Sequence, residues 1–508
     1  MLADWIDFGQ VSAERDENLS EYFFENGVLE AVLGDRHQFL VLGRKGAGKT
    51  AVFQHFKNNP RKYIGVGDFS DSLSLQDYSW DVHSLLASKG KATSLAYIQS
   101  WKYVIYLNAI KCLHKKGARG KKIDAAIKLV QRIYSSPSPT LSQMIGSKIF
   151  QLTSLKLPAG GVDLAEGNLD ALSVSGGEIS FSDVQKDESL QNSLNQSIER
   201  LSEIFEEALL DTISEESKVF ITFDRVDEAW DRDSFGESQK VIAGLIGAAE
   251  TITSKFRGAL RPVVFLREDI FDSLDINDKN KLRADCGQLL AWTKDSLSRM
   301  LLERVNYFAR KSGVAEYEKV DALFDRPQMR QGRAPFDYIN LRTMVRPRDF
   351  IRSFQLIKGD MLSRKENPYD PEAVNEEYLE CQSIYNSESA YSEWLVEELK
   401  DEWRVQYPAI NDLFAALQNN GATTLSIGDL SDSLAKAGIK SGRSDLTSYL
   451  RFLYDNSIIG FRVGASQQWR FRCFFKAQGF IEADVYKVHD GLHRGLNLTE
   501  SRSPSQKK

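Results

Sequence analysis

Phe39-Leu40-Val41-Leu42 runs directly into Gly43-Arg44-Lys45-Gly46-Ala47-Gly48-Lys49-Thr50, after which Ala51-Val52-Phe53 and Phe56 recur at helical spacing until Asn58-Asn59-Pro60. The apolar run predicts a buried strand, and the later spacing predicts a helix that proline ends. Between them the pattern G-x-x-x-x-G-K-[ST] is matched in full, in the strand-to-helix setting it requires. The residue types have a physical reason. Glycines let successive backbone N–H groups turn toward one centre, and the helix N-terminus adds about half a positive charge, so both converge on the β-phosphate of a nucleotide. Lys49 brings a full charge toward the β/γ oxygens, and Thr50 places a hydroxyl where Mg²⁺ needs an oxygen ligand. Gly43, Arg44, Lys45, Gly46, Ala47, Gly48, Lys49 and Thr50 are therefore the expected nucleotide-binding residues, with ATP and Mg²⁺ as ligands.

Working outward, residues 20 to 34 carry apolar positions at helical spacing ahead of the strand, and residues 94 to 115 form a second long periodic stretch. Lys115-Lys116-Gly117-Ala118-Arg119-Gly120-Lys121-Lys122 breaks it with charge and glycine, which marks the start of an insertion over about 115–190. Inside it, Leu155, Leu157, Leu172, Val174, Ile179 and Phe181 alternate with polar residues around Gly160-Gly161 and Gly176-Gly177, as short hairpin strands would. Leu194, Ile198, Leu201, Phe205 and Ala208 then mark one face of a helix. Val219 to Phe223 and Val263 to Leu266 read as two more buried strands. Strands alternating with helices predict an α/β fold with a parallel sheet covered on both faces.

The first of these two strands ends in acids: Val219-Phe220-Ile221-Thr222-Phe223-Asp224-Arg225-Val226-Asp227-Glu228. Asp224 emerges where a carboxylate beside Mg²⁺ belongs, so Thr50 and Asp224 are the expected metal residues. Glu228 or Asp227 can orient and deprotonate an attacking water.

FLVLGRKGAGKTAVF, ITFDRVDEAW, VVFLREDIF, NKLRADCGQLLAW and RPRDFIRSF together resemble the P-loop ATPases of the STAND and KAP-like neighbourhood within the AAA+ radiation. In particular the chain is similar to a bacterial family several relatives of which stand in anti-phage or other conflict-related gene neighbourhoods. The resemblance covers residues 16 to 360 apart from the insertion. It implies that Arg267, at the end of its strand, takes the sensor-1 position facing the γ-phosphate; pairing of Arg267 with Glu268 or Asp269 is the alternative. It also implies that Arg348 is the lid arginine that reports on the γ-phosphate, with Arg346 able to take that role instead. As an arginine finger, Arg283, Arg257 and Arg261 stand as candidates.

From about 293 the pattern turns helical, with Leu297, Leu301, Val305 and Phe308 on one face and a further helix starting at Pro347. Past 405 the expected order is three short helices and two strands, at Ile458 to Val463 and Trp469 to Phe475, which is the order of a winged helix. The expected division is a P-loop core over 1–284, a helical lid over 285–365, a helical linker over 366–404, a winged helix over 405–485 and a tail over 486–508. Arg462, Arg470, Arg472 and Lys476 lie on or beside the expected wing and could track phosphates. The would-be recognition helix, Ser444 to Asn456, offers only Arg451 and carries Asp445 and Asp455, which is poor for reading a major groove.

The 508 residues are 42% hydrophobic and 27% charged, a globular balance spread over two or three domains. A net charge of −6 argues against wholesale coating of nucleic acid. Four cysteines without a C-x-x-C pair indicate neither a disulfide framework nor a zinc site, and no run reaches the length of a membrane span. The expected protein is thus a cytoplasmic ATPase acting as a nucleotide-dependent conformational switch, with no membrane contact and output through a protein partner or self-assembly. The alternative is a DNA-binding AAA+ ATPase resembling origin-recognition and initiator proteins, with DNA held by the winged helix.

Overall fold

Five short segments build one parallel sheet: β1 (Leu40–Gly43), β2 (Phe69–Ser74), β5 (Val219–Asp224), β6 (Leu260–Arg267) and β7 (Gly287–Leu289), in the order β2-β5-β6-β1-β7. In the computed structural model the described residues are 2–76, 78–87, 97–156, 173–174, 179–229, 235–367, 374–375, 377–464 and 466–500. They fall into a sheet unit, Glu25–Arg44 with Lys49–Ala291, and a helical unit, Met1–Phe24, Lys45–Gly48 and Trp292–Lys508. Among the described residues no helix is long and apolar enough to cross a membrane. All four cysteines are free thiols.

In the sheet unit every residue of β1, β5 and β6 is buried, as strands covered on both faces must be. The edge strands are the ones the sequence hides. β2 reads Phe-Ser-Asp-Ser-Leu-Ser and is only half-buried, and β7 has three residues, too few for periodicity to mark. Around the sheet lie α1 (Val28–Gly34), α2 (Lys49–Asn58), α3 (Ile98–Lys115), α4 (Lys121–Tyr134), α5 (Glu188–Thr212) and α6 (Phe235–Lys255). α3 is buried on nearly every side, from Trp101 to Leu113, as a helix apolar all round must be. Its buried polar residues are satisfied locally: Lys111 donates to Asn108 Oδ1 at 2.9 Å and pairs with Asp71 at 2.5 Å.

The segment expected as an insertion contributes to the same core. α4 lies within it and buries Ile123, Ile127, Val130 and Ile133 in the cluster that also holds α3 and α5. Of the expected hairpin, β3 (Leu155–Lys156) and β4 (Ser173–Val174) pair antiparallel. Leu157, Leu172 and both glycine pairs lie outside the described residues. Phe181 is a correction. It opens a helix, Phe181–Lys186, because Ser180 and Asp183 form a reciprocal cap at that point.

In the helical unit, α7 (Lys294–Lys311), α8 (Pro347–Glu366) and α9 (Cys381–Trp403) are joined by the first 24 residues, which are expected in the sheet core from sequence. Arg304 of α7 explains the difference: it pairs with buried Asp16 at 3.0 Å and donates to Phe8 O at 2.7 Å. Beyond residue 405 come α10 (Ile410–Asn420), β8 (Thr424–Leu425), α11 (Ile427–Lys436), α12 (Arg443–Asp455), β9 (Ile459–Phe461) and β10 (Tyr486–Val488). The three strands form an antiparallel sheet in the order β8-β10-β9. Trp469 to Phe475, expected as a strand, meets β9 at the single bridge Phe461–Arg470 and then turns, with Cys473 N–H donating to Ser457 Oγ at 2.8 Å. The strand that pairs with β9 along its length is Tyr486–Val488, at the start of what was expected to be a tail.

Candidate nucleotide site

Strand order decides what can meet at the carboxyl edge of the sheet. β1 ends at Gly43, whose partner in register on β6 is Arg267, and β5 ends at Asp224. β6 thus separates the glycine-rich strand from the acidic one, setting them roughly 10 Å apart. α2 begins at Lys49, immediately after the loop.

Lys49 is half-buried, and its ammonium turns back onto the loop, donating to Gly43 O at 3.1 Å and Arg44 O at 3.3 Å. Burial pushes its pKa down and Arg267 adds to that, while Asp227, Asp224 and Asp269 oppose it. Asp224 is 2% exposed. Burial pushes its carboxyl up to about 6, against the Thr50 hydroxyl that donates to it, the Lys49 charge and the Arg225 backbone N–H. Its Oδ2 is buried with no hydrogen-bond partner. A carboxylate held this far from water, next to a hydroxyl and with one oxygen unclaimed, fits a hard divalent cation.

The two candidate bases differ in placement. Among neighbouring charges, Asp227 acts most strongly on the Lys49 ammonium. Glu228 is exposed and accepts from Arg225 Nη1 at 2.8 Å. Arg267 is almost buried, and its guanidinium is gripped in two-pronged fashion by Asp269, at 2.8 and 3.2 Å. Its backbone stands beside Gly43 while its charge is shared with Asp269. Of the finger candidates, Arg261 is corrected: it is 1% exposed and donates to the carbonyls of Val32, Leu33 and Asp35 at the end of α1, so it closes a helix. Arg283 pairs with Glu268 and Asp272, and Arg257 sits exposed in a left-handed turn with φ of 51°.

Lys45–Gly48 groups with the helical unit, and its contacts there are specific. Arg346, 4% exposed, donates to Lys45 O at 3.1 Å while held by Glu402 at 2.9 Å and by both oxygens of Asp349 at 3.2 Å. Trp292 Nε1 donates to Ala47 O at 2.8 Å. Gly46 has φ of +78°, and a Cβ there would come within 3.2 Å of Arg348 Cβ, so glycine is required twice over. Arg348 donates to Glu398, and Lys45 Nζ lies 3.4 Å from the same carboxylate oxygen. Of the two candidate reporters, then, Arg346 is locked in place and Arg348 is the one with a quarter of its side chain exposed.

Sequence reasoning missed Glu398, Glu402, Asp349 and Trp292. The one available signal was the i,i+4 spacing of Glu398 and Glu402, which puts both on one face of α9. In an acidic helix that spacing reads as a solvated face.

Residues 295–400 match the FunZ-associated C-terminal helical domain family. Over 360 residues, 68% of the chain, the sequence is 27% identical to the "Putative transposon gamma-delta 80.3 kDa protein" of Escherichia coli K12, and it spans 45% of that relative's length. Among solved structures, Cdc6p from Pyrobaculum aerophilum aligns with a TM-score of 0.32 and 12% identity, covering 95% of this chain and 97% of that one. Orc1 from Aeropyrum pernix, solved in complex with DNA, aligns with a TM-score of 0.35 and 13% identity, covering 96% and 93%. At such scores the sheet itself, rather than the alignment, defines the fold.

Proposed function

We propose that this chain is an Mg²⁺-dependent ATPase that works as a nucleotide-dependent conformational switch. One observation carries the reading: Asp224, buried at the end of β5 with an unclaimed oxygen, accepts from the hydroxyl of Thr50, the last residue of a complete phosphate loop. Thr50 and Asp224 would hold the ion, which neutralises charge developing on the β- and γ-phosphates. Lys49 exchanges its two loop carbonyls for phosphate oxygens. Asp227 or Glu228 holds the attacking water, and the placement beside Lys49 favours Asp227. Turnover by the isolated chain is slow, because among the described residues Arg267 is taken by Asp269 and Arg348 by Glu398, so neither reaches a γ-phosphate without rearrangement.

Residues 285–365 act as the lid in this reading. The order α10-β8-α11-α12-β9-β10 supports a winged helix. Five of its basic residues are engaged within the unit: Arg462 lies over Trp469 at 4.1 Å, Arg451 over Phe480 at 5.4 Å, Arg470 and Arg472 donate to Gln478, and Lys476 donates to Trp292 O at 2.7 Å. That arrangement favours a packing module over a DNA reader. A role in anti-phage conflict rests on the sequence resemblance alone.

Calorimetric titration with Mg·ATP is the test. Wild type should bind, and Lys49→Ala should lose binding with its phosphate-facing charge; equal affinity in the two proteins would overturn the assignment. DNA retention that is strong and falls steeply with salt would return the initiator-like reading.

A further inference from the structure

We infer that Glu398 is a positioning residue that stands in for the γ-phosphate, occupying Lys45 and Arg348 until a triphosphate displaces it, and that it thereby sets the discrimination between ATP and ADP. The inference rests on the nucleotide-binding reading above. Its basis is a geometry that the reading does not use. One carboxylate oxygen of Glu398 is shared by Lys45, on the phosphate loop, and Arg348, whose backbone N–H lies 3.5 Å from Gly46 O of that loop. Two cations from segments about 300 residues apart in sequence are thus neutralised by one anion on a third segment. The side chain of Glu398 is 16% exposed, so the cluster is poorly screened. Burial opposes the charge of Glu398, but Arg348, Lys45 and Arg346 outweigh it and hold the carboxyl below its usual range, so the anion persists at neutral pH.

A phosphate arriving at the loop meets these cations already paired. Its γ-oxygens and the Glu398 carboxylate carry the same sign and seek the same guanidinium, so they exclude one another. ADP lacks the group that competes. Glu398 therefore raises the cost of binding ATP specifically. Because Glu402, one turn further along α9, is held by Arg346, which also grips Lys45 O, displacement of Glu398 leaves the loop anchored while freeing one point of α9.

The experiment is titration of the full chain with Mg·ATP and Mg·ADP, in wild type, Glu398→Gln, Arg348→Ala and the double variant. Glu398→Gln should tighten ATP about tenfold and leave ADP within about twofold. In the Arg348→Ala background the same substitution should change the ATP-to-ADP ratio by less than about twofold. Glu398→Asp keeps the charge but shortens the reach; should the neutral variant fail to fold, an intermediate ATP-to-ADP ratio in Glu398→Asp carries the same expectation, and a wild-type ratio overturns it. A purely structural role would move both nucleotides together. Equal shifts for ATP and ADP, or a full effect surviving without Arg348, would overturn the inference while leaving the ATPase reading intact. Absence of nucleotide binding by wild type would overturn the ATPase reading itself.

Discussion

Asp224→Asn should stabilise the metal-free protein at neutral pH while destroying its response to Mg·ATP. The carboxyl titrates near 3.8 in water and near 6 in the fold, because burial disfavours its charge. The folded chain therefore keeps this proton to higher pH than the unfolded chain does. Ionising Asp224 costs nothing below about pH 3.8, costs progressively more up to about pH 6, and a constant amount above it. At 1.36 kcal/mol per pKa unit the cost is about 3 kcal/mol at pH 7 and under about 1 kcal/mol at pH 4. Asparagine retains an acceptor for Thr50 and cannot ionise. Its amide NH₂ meets the place where Oδ2 has no partner, a cost of about 1–2 kcal/mol that is the same at every pH. The pH dependence is therefore the readout. Thermal unfolding in EDTA should show the variant gaining on wild type by about 2 to 3 kcal/mol between pH 4 and pH 7, a movement of roughly 5–8 °C in relative Tm for a unit of this size. Mg·ATP should then raise the wild-type Tm and leave the variant unchanged. A difference between the two proteins that is equal at pH 4 and pH 7 would refute the buried, proton-holding carboxyl.

Asp227→Asn should lower kcat about a hundredfold or more with ATP affinity retained, and Glu228→Gln should lower it less; the reverse ranking in single-turnover assays moves the base to Glu228. Gly46→Ala forces an alanine to φ of +78° against Arg348, so ATP affinity should fall about 5- to 30-fold by calorimetry, and unchanged binding would contradict the loop conformation. Arg261→Met orphans three carbonyls at the end of α1 and should cost about 3 kcal/mol or more, read as a Tm loss of at least roughly 6 °C. Its turnover per folded molecule should equal that of wild type, which a finger role would forbid.

The parts of this protein legible from the chain are those whose chemistry is local. Strand, loop and helix over Phe39 to Phe56 follow from contiguous burial, glycine spacing and helical period, and the structure places β1 and α2 there. Val219 to Asp224 is likewise a run of residues that alternate with nothing, as a strand buried on both faces must be. What tertiary structure decided is which distant charges meet. Asp227 and Glu228 are adjacent in sequence and equal in chemistry, and only the turn after β5 puts one toward Lys49 and pairs the other with Arg225. Glu398 reads as one of several acids on α9, and only packing brings it to Lys45 and Arg348. Tyr486–Val488 is too short to carry a period, and it becomes a strand because β8 and β9 offer it backbone partners. Local propensity acts over a turn or a few residues, whereas an ion pair or a strand pairing depends on chain separations that no short window contains; that difference in range separates what the sequence determined from what the fold alone decided.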